Sequence, residues 1–92
     1  MSVIRINRFQ AKDGQGDKVR EVLRSFDAIF RSNAGYESHQ VLQNVDDPNQ
    51  IVVIEIWESA EAHQAAAQNI PVHAFEWVMS LLNGRPSGEY YA

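Results

Sequence analysis

The sequence predicts an α+β fold of the ferredoxin-like type, with the element order β-α-β-β-α-(α)-β. Two observations predict it. A strand-like alternation of apolar side chains precedes a helix-like apolar periodicity, and strand and helix signals follow each other again in the second half. The expected architecture is a four-stranded antiparallel sheet with helices on one face, formed by residues 1–92 as a single domain.

The first half carries one strand and one long helix. Residues 3–9 alternate apolar and polar side chains, which is typical of a half-buried strand. Residues 18–32 place apolar side chains on a single helical stripe. We expect Asp17 to cap this helix and Gly35 to follow its end in the left-handed conformation.

The second half begins with two strands joined by a turn. Residues 36–44 read as a rather polar strand, and residues 46–49 contain Asp, Pro and Asn, which favour a turn. Residues 51–57 are apolar on both faces, which predicts a central strand.

Two helices and a short strand are expected to complete the chain. Ser59 is a good N-cap for a helix that runs to about Gln68, and Pro71 favours the first turn of another helix. Residues 88–92 are expected to form the last strand. The apolar stripe of the last helix is Val72, Phe75, Val78, Met79 and Leu82.

Length and composition predict a dimer. A chain of 92 residues buries a thin core, and small domains usually depend on a disulfide, a metal or a partner chain. The chain contains no cysteine, which excludes disulfides and thiolate ligands. Association of two copies is therefore the expected support, and we predict a homodimer.

Charge and hydropathy exclude other classes of partner. The net charge is −4, and the basic residues are scattered among acids, so a nucleic-acid partner is not expected. No apolar run approaches the ~20 residues that span a bilayer, and the N-terminal residues lack the pattern of a signal peptide. We expect a cytoplasmic protein without a membrane partner.

Residues 51–63 resemble the antibiotic biosynthesis monooxygenase domain. An apolar strand ends in Glu55-x-Trp57-x-Ser59, and a helix opening with small and acidic residues follows. The similarity covers essentially the whole chain. Further residues that agree with it are Gly35-Tyr36, Asp46-Asp47-Pro48 and Gly84-x-Pro86.

The resemblance implies a dimeric α+β barrel in which each protomer keeps a cavity between its sheet and its helices. The family includes cofactor-independent monooxygenases of quinols and anthrones, cofactor-free haem-degrading enzymes, and members without a known reaction. Fold membership alone does not choose among these activities.

The haem-degrading branch is the least favoured of these activities. The segment Ile6-Asn7-Arg8 resembles the strand-one Asn motif of that branch. That branch also uses a Trp in the helix that follows this turn and an axial His further along the chain. In this sequence the helix after Ser59 contains no Trp, and His73 is displaced by a few residues from the expected axial position.

Three polar residues are the candidate catalytic groups. A cofactor-free oxygenase needs a base, an orienting polar group and an apolar, water-excluding pocket, because oxygen accepts an electron from a phenolate or enolate. We expect Asn7 to orient the substrate and His63 or His73 to take its proton. Surface hydrogen bonding is the alternative role for each. The histidines lack the spacing of a helical zinc site, so neither a metal nor a cofactor is expected.

Aromatic residues are the candidate walls of the pocket. Trp57, Tyr36, Phe75 and Trp77 are assigned to substrate binding, with packing in the core as the alternative. Glu55 interrupts an apolar strand, so we expect either an ion pair with Arg5 or Arg8, the favoured alternative, or a pKa raised by burial.

The predicted function is thus a cofactor-independent monooxygenase that acts on a small electron-rich aromatic of the quinol or anthrone type. The alternative is a non-catalytic, ligand-binding or stress-associated dimer of the same fold.

Overall fold

The computed structural model describes residues 2–92, which form a four-stranded antiparallel sheet and four helices. The sheet order is β2-β3-β1-β4, so β3 lies between two strands as its apolar faces predict. The α+β, ferredoxin-like fold is confirmed. The elements are β1 (Val3–Gln10), α1 (Gly16–Ser25), α2 (Asp27–Phe30), β2 (Tyr36–Gln43), β3 (Gln50–Trp57), α3 (Ala60–Ala67), α4 (Val72–Ser80) and β4 (Ser87–Tyr91).

The sheet has an inner face toward the helices and an outer face. Along β3, Ile51, Val53, Glu55 and Trp57 are buried, whereas the residues between them are only partly buried. This alternation follows from the two-residue period of a strand. The outer face is predominantly apolar, and its apolar residues are Ile4, Ile6, Leu42, Val52, Ile54, Ile56 and Tyr91.

The prediction of one continuous helix over residues 18–32 is wrong. The segment is divided into α1 and α2 at Phe26, whose backbone N–H reaches the carbonyl of Leu23, three residues back. Ser25 donates its hydroxyl proton to the carbonyl of Val22, a side-chain bond that favours bending of a helix. The apolar stripe is nevertheless buried as predicted.

The predicted cap of this helix is also wrong. Gln15 occupies the N-cap position without a side-chain bond, and Asp17 lies in the first turn, where its charge favours the positive end of the helix dipole. The helix begins at Gly16 because this residue packs against the β2–β3 turn. A Cβ atom there would lie 1.9 Å from the carbonyl oxygen of Pro48.

The other helix boundaries agree more closely with the sequence. Ser59 caps α3 by accepting the backbone N–H of Ala62 at 3.1 Å, and Gly35 adopts a φ of 86°. The stripe predicted for α4 is partly wrong, because Val72 and Phe75 are 73% and 51% exposed. None of the helices in residues 2–92 has the length and apolar character that crossing a membrane requires.

Candidate active site

A cavity of about 220 Å³ lies between the inner face of the sheet and the helices. Apolar side chains from β1, β3 and all four helices form most of its wall, including Phe9, Phe30 and Met79. The polar residues that line it are Arg5, Asn7, His39, Glu55, His63 and Ser87. A concave, mostly apolar space with a few convergent polar groups is typical of a small-molecule site.

The strand register brings most of these polar groups together. Arg5 of β1 and His39 of β2 both lie opposite Glu55 of β3, one on each side. Asn7 lies two residues along β1 from Arg5 and therefore on the same face. Three neighbouring strands thus present their polar side chains to one cavity.

Glu55 is held without an ion pair to either predicted arginine. It is 3% exposed, its Oε1 accepts the indole N–H of Trp57 at 2.8 Å, and its Oε2 accepts from the Asn7 amide at 3.3 Å. Arg8 lies on the outer face and pairs with Glu89 instead. Burial raises the pKa of Glu55, and the Trp57 bond and the Arg5 charge offset part of this rise. The favoured alternative, an ion pair with Arg5 or Arg8, is therefore wrong, and the burial of Glu55 agrees with the other alternative.

His63 is a neutral imidazole with both ring nitrogens facing protein groups. Its Nδ1 lies 2.7 Å from the Tyr90 hydroxyl, and its Nε2 lies 3.7 Å from Glu55 Oε1. Burial and, to a smaller extent, the Arg5 charge lower the pKa of His63 to about 4. The contact between His63 and Glu55 is therefore not an ion pair at neutral pH.

Arg5 and Asn7 form the cationic end of the cavity. The Arg5 Nε donates to Asn7 Oδ1 at 2.9 Å, and the guanidinium stacks over the ring of Tyr90 at 4.6 Å. Gly88 of β4 provides the space, because a Cβ atom there would lie 2.1 Å from an Arg5 guanidinium nitrogen and 2.3 Å from Asn7 Oδ1. These donors can hold a partial negative charge on a bound molecule.

A second polar cluster connects His39 to α2. The side chain of His39 is 3% exposed, and its Nδ1 lies 3.5 Å from Asp27 Oδ1. The same carboxylate accepts the Tyr36 hydroxyl at 2.7 Å and the Arg31 guanidinium. These bonds lower the pKa of Asp27, whereas burial raises the pKa of Tyr36 to about 12. Burial lowers the pKa of His39, and Asp27 opposes this shift.

The structure brings some of the predicted site residues to the cavity and leaves others outside it. Asn7, His63 and Phe75 line the cavity. Trp57 is 1% exposed and lies behind Glu55, and Tyr36 reaches Asp27 rather than the cavity.

Two predicted residues lie on the surface of α4. His73 is exposed, and Trp77 is 51% exposed beside an open hollow next to α1. Neither of them lines the cavity. The sequence signal failed here because the helix after Pro71 turns these side chains away from the sheet.

Arg5 and His39 are cavity residues that the sequence analysis did not select. A signal was available for His39, because Val41 two residues later is apolar and residues i and i+2 of a strand share a face. The link from His39 to Asp27 had no local signal, since it joins a strand to a helix that precedes it in the chain.

Comparison with known proteins decides the family. A family model described as antibiotic biosynthesis monooxygenase matches residues 2–76. The chain belongs to this family. No curated protein sequence matches this family member. Its fold is shared by a variant of SnoaB, a cofactor-independent oxygenase from Streptomyces nogalater, with a TM-score of 0.83 at 22% identity, covering 99% of this chain and 91% of that one.

Two further solved structures share the fold of this antibiotic biosynthesis monooxygenase family member. A conserved protein from Methanosarcina mazei Go1 has a TM-score of 0.84 at 14% identity, covering 99% of this chain and 91% of that chain. A protein from Shewanella oneidensis has a TM-score of 0.82 at 22% identity, covering 98% and 88%. The likeness therefore extends over nearly the whole domain in each case.

Proposed function

We propose that this protein is a cofactor-independent monooxygenase that acts on a small electron-rich aromatic molecule of the quinol or anthrone type. The observation that carries the proposal is the cavity, which combines apolar walls with a neutral imidazole and a cationic end. The family and the name of SnoaB support the same class of reaction.

The proposed reaction needs no external reductant. The substrate, either as a phenol or as the keto tautomer that carries a CH₂ group (R₂CH₂), loses a proton to an imidazole, and the resulting phenolate or enolate gives one electron to oxygen. The two radicals combine in a C–O bond, and the O–O bond then breaks as the second hydrogen leaves carbon. The balance is R₂CH₂ + O₂ → R₂C=O + H₂O, so the substrate supplies all the electrons. Exclusion of water and placement of the enolate oxygen near Arg5 and Asn7 are what the protein contributes.

The position of the histidines restricts the choice of proton acceptor. Of the two predicted bases, His63 lines the cavity, whereas His73 is exposed on α4. His39 also lines the cavity, so the imidazole of this scheme is that of His39 or His63. Asn7 keeps its predicted role as the orienting group. Trp57 lies behind Glu55 and holds its carboxylate at the cavity wall by donating the indole N–H at 2.8 Å.

The cavity volume restricts the substrate. About 220 Å³ is below the ~300–1,000 Å³ that is usual for drug-sized ligands. We therefore expect one or two fused rings to bind better than three, and 1-naphthol to be accepted more readily than anthrone.

Oxygen uptake tests the proposed function. With 1-naphthol or anthrone, the protein is expected to consume oxygen and to place one ¹⁸O atom from ¹⁸O₂ in the product carbonyl. Asn7→Ala is expected to lower kcat/KM by roughly 100-fold, because the substrate oxygen loses its orienting group. Gln64→Ala, an exposed change on α3, is the control and is expected to retain the wild-type rate.

Binding without oxygen uptake contradicts the proposal. A rise in melting temperature on addition of 1-naphthol, with no oxygen consumed for any member of the panel, identifies the protein as a non-catalytic ligand-binding module.

We further propose that the native particle is a homodimer joined through the outer face of the sheet. Leu42 and Tyr91 on this face are each 43% exposed, and Ile54 lies near its centre. A contiguous apolar face of this kind is typical of an interaction surface. No nucleic acid or membrane partner is part of the proposal.

Light scattering tests the dimer. We expect a particle of twice the 10.4 kDa chain mass for the wild type and a monomer for Ile54→Asp, because a charge cannot be buried unpaired in an apolar interface. Val45→Asp is the matched control, since Val45 is 95% exposed in the loop after β2. A monomeric wild type at micromolar concentration contradicts the proposal.

A further inference from the structure

We infer that His39, held by Asp27, is the general base of the cavity. This inference rests on the proposed function for its chemistry. The two cavity histidines differ in which of their ring nitrogens are already engaged by protein groups.

The two ring nitrogens of His39 have different surroundings. Nδ1 lies 3.5 Å from Asp27 Oδ1, whereas Nε2 makes no hydrogen bond within residues 2–92. The ring lines the cavity and its side chain is 3% exposed to solvent. A carboxylate beside Nδ1 favours the tautomer with the proton on that atom, which leaves Nε2 as a proton acceptor.

The carboxylate that orients His39 is itself fixed. Asp27 Oδ1 accepts the Tyr36 hydroxyl at 2.7 Å, and Oδ2 accepts the guanidinium of Arg31 one turn later in the chain. The ring of Phe30 packs edge-on against His39 at 5.4 Å. These contacts restrict both partners of the pair, so Asp27 is a positioning residue and His39 is the group that meets the substrate.

His63 is less suited to the same role. Its Nδ1 is engaged by Tyr90 at 2.7 Å, and its Nε2 lies 3.7 Å from Glu55. Burial lowers the pKa of His63 to about 4, whereas at His39 the Asp27 carboxylate opposes the effect of burial. A stronger base at neutral pH is therefore expected at His39.

The proton transfer is simple to balance. The Nε2 atom of His39 takes the proton from the substrate oxygen or carbon, and the electron pair stays on the substrate as a phenolate or enolate. The imidazolium is stabilised by Asp27, and it can return the proton when the O–O bond breaks and water forms. Charged or titratable groups that also face this region are Arg5, Glu55 and His63.

The first test uses 4-nitrophenol, a phenol that does not react with oxygen and that absorbs at longer wavelength as its phenolate. Wild-type protein is expected to bind it as the phenolate at a pH where free 4-nitrophenol is largely protonated. His39→Gln is expected to reduce the bound phenolate fraction at least tenfold, and His63→Gln less than threefold. The reverse order of the two variants overturns the inference. This measurement is independent of whether the protein consumes oxygen.

The second test follows the His39 ring in the wild type and so does not depend on the folding of a variant. Nitrogen-15 NMR is expected to show His39 as the Nδ1–H tautomer, with Nε2 shifting on addition of 4-nitrophenol. An Nε2–H tautomer, or no shift of Nε2 at saturation, overturns the inference.

Kinetics separate the base from its positioning residue. His39→Gln is expected to lower kcat about 100-fold or more with little change in KM. Asp27→Asn is expected to lower kcat less than His39→Gln does. It is also expected to move the acidic limb of the pH profile of kcat/KM to lower pH, because a carboxylate that raises the pKa of His39 is removed. A merely structural role of Asp27 predicts no movement of this limb. If wild-type protein consumes no oxygen, the proposed function fails, while the nitrophenol and NMR tests still decide the inference.

Discussion

Replacement of Trp57 by alanine is expected to destabilise the protein by about 3–5 kcal/mol, the usual cost of truncating a buried tryptophan. The side chain is 1% exposed, and its ring contacts Phe30 and Tyr36 edge-on at 5.6 Å each. A chain of this length is expected to have roughly 5–14 kcal/mol of total stability. The melting temperature of the variant should therefore be lower than that of the wild type by roughly 15–30 °C.

Trp57→Phe is the matched control for this prediction. It keeps most of the packing and removes only the indole N–H that donates to Glu55 at 2.8 Å. We expect a loss of about 1–2 kcal/mol and a further rise in the pKa of Glu55, because that bond favours the ionised carboxylate. A Trp57→Ala variant that melts within a few degrees of the wild type contradicts the assignment of Trp57 to the core.

Acid is expected to destabilise the fold through His63. Burial lowers the pKa of His63 from 6.5 to about 4, so folding disfavours its protonation. The stability that this neutral histidine contributes is fully present above pH 6.5 and is lost as the pH falls toward 4. A shift of this size corresponds to about 3 kcal/mol. His39 acts in the same direction, because its pKa is also lowered.

Urea denaturation between pH 7 and pH 4 measures this loss. His63→Gln is expected to flatten the pH dependence over that range, and His73→Gln, on the exposed surface of α4, is expected to retain it. Glu55 contributes with the opposite sign: its raised pKa stabilises the fold at low pH, and this contribution is lost as the pH rises through the folded value. Equal slopes for the wild type and His63→Gln contradict the prediction.

The sequence predicts the sheet well because the signals are local. The alternation in β1, the apolar run in β3, the turn at Pro48 and the cap at Ser59 each depend on neighbouring residues. The prediction of one helix over residues 18–32 is wrong because the apolar periodicity continues through Phe26, whereas the regular helical hydrogen bonds are interrupted there. The α4 stripe failed for a different reason: periodicity does not specify how much of a helix the rest of the fold covers.

The site was harder to predict than the fold. Asn7 and His63 lie at the cavity, but the partners that define their chemistry are distant in the chain, such as Glu55 for Asn7 and Tyr90 for His63. The choice between ion pairing and burial for Glu55 depends on where the guanidinium of Arg5 lies. That position follows from the strand register and from the space at Gly88, neither of which periodicity supplies.

Because burial alternates along β3, adjacent residues of this one strand belong to opposite faces of the sheet. Glu55 faces the cavity, whereas Ile54 and Ile56 on either side of it face away. Substitutions at odd-numbered positions of this strand can therefore alter the lining of the cavity while the even-numbered positions keep the apolar outer face unchanged. Such independence offers a physical reason why the interior of one small domain can vary without disturbing its exterior.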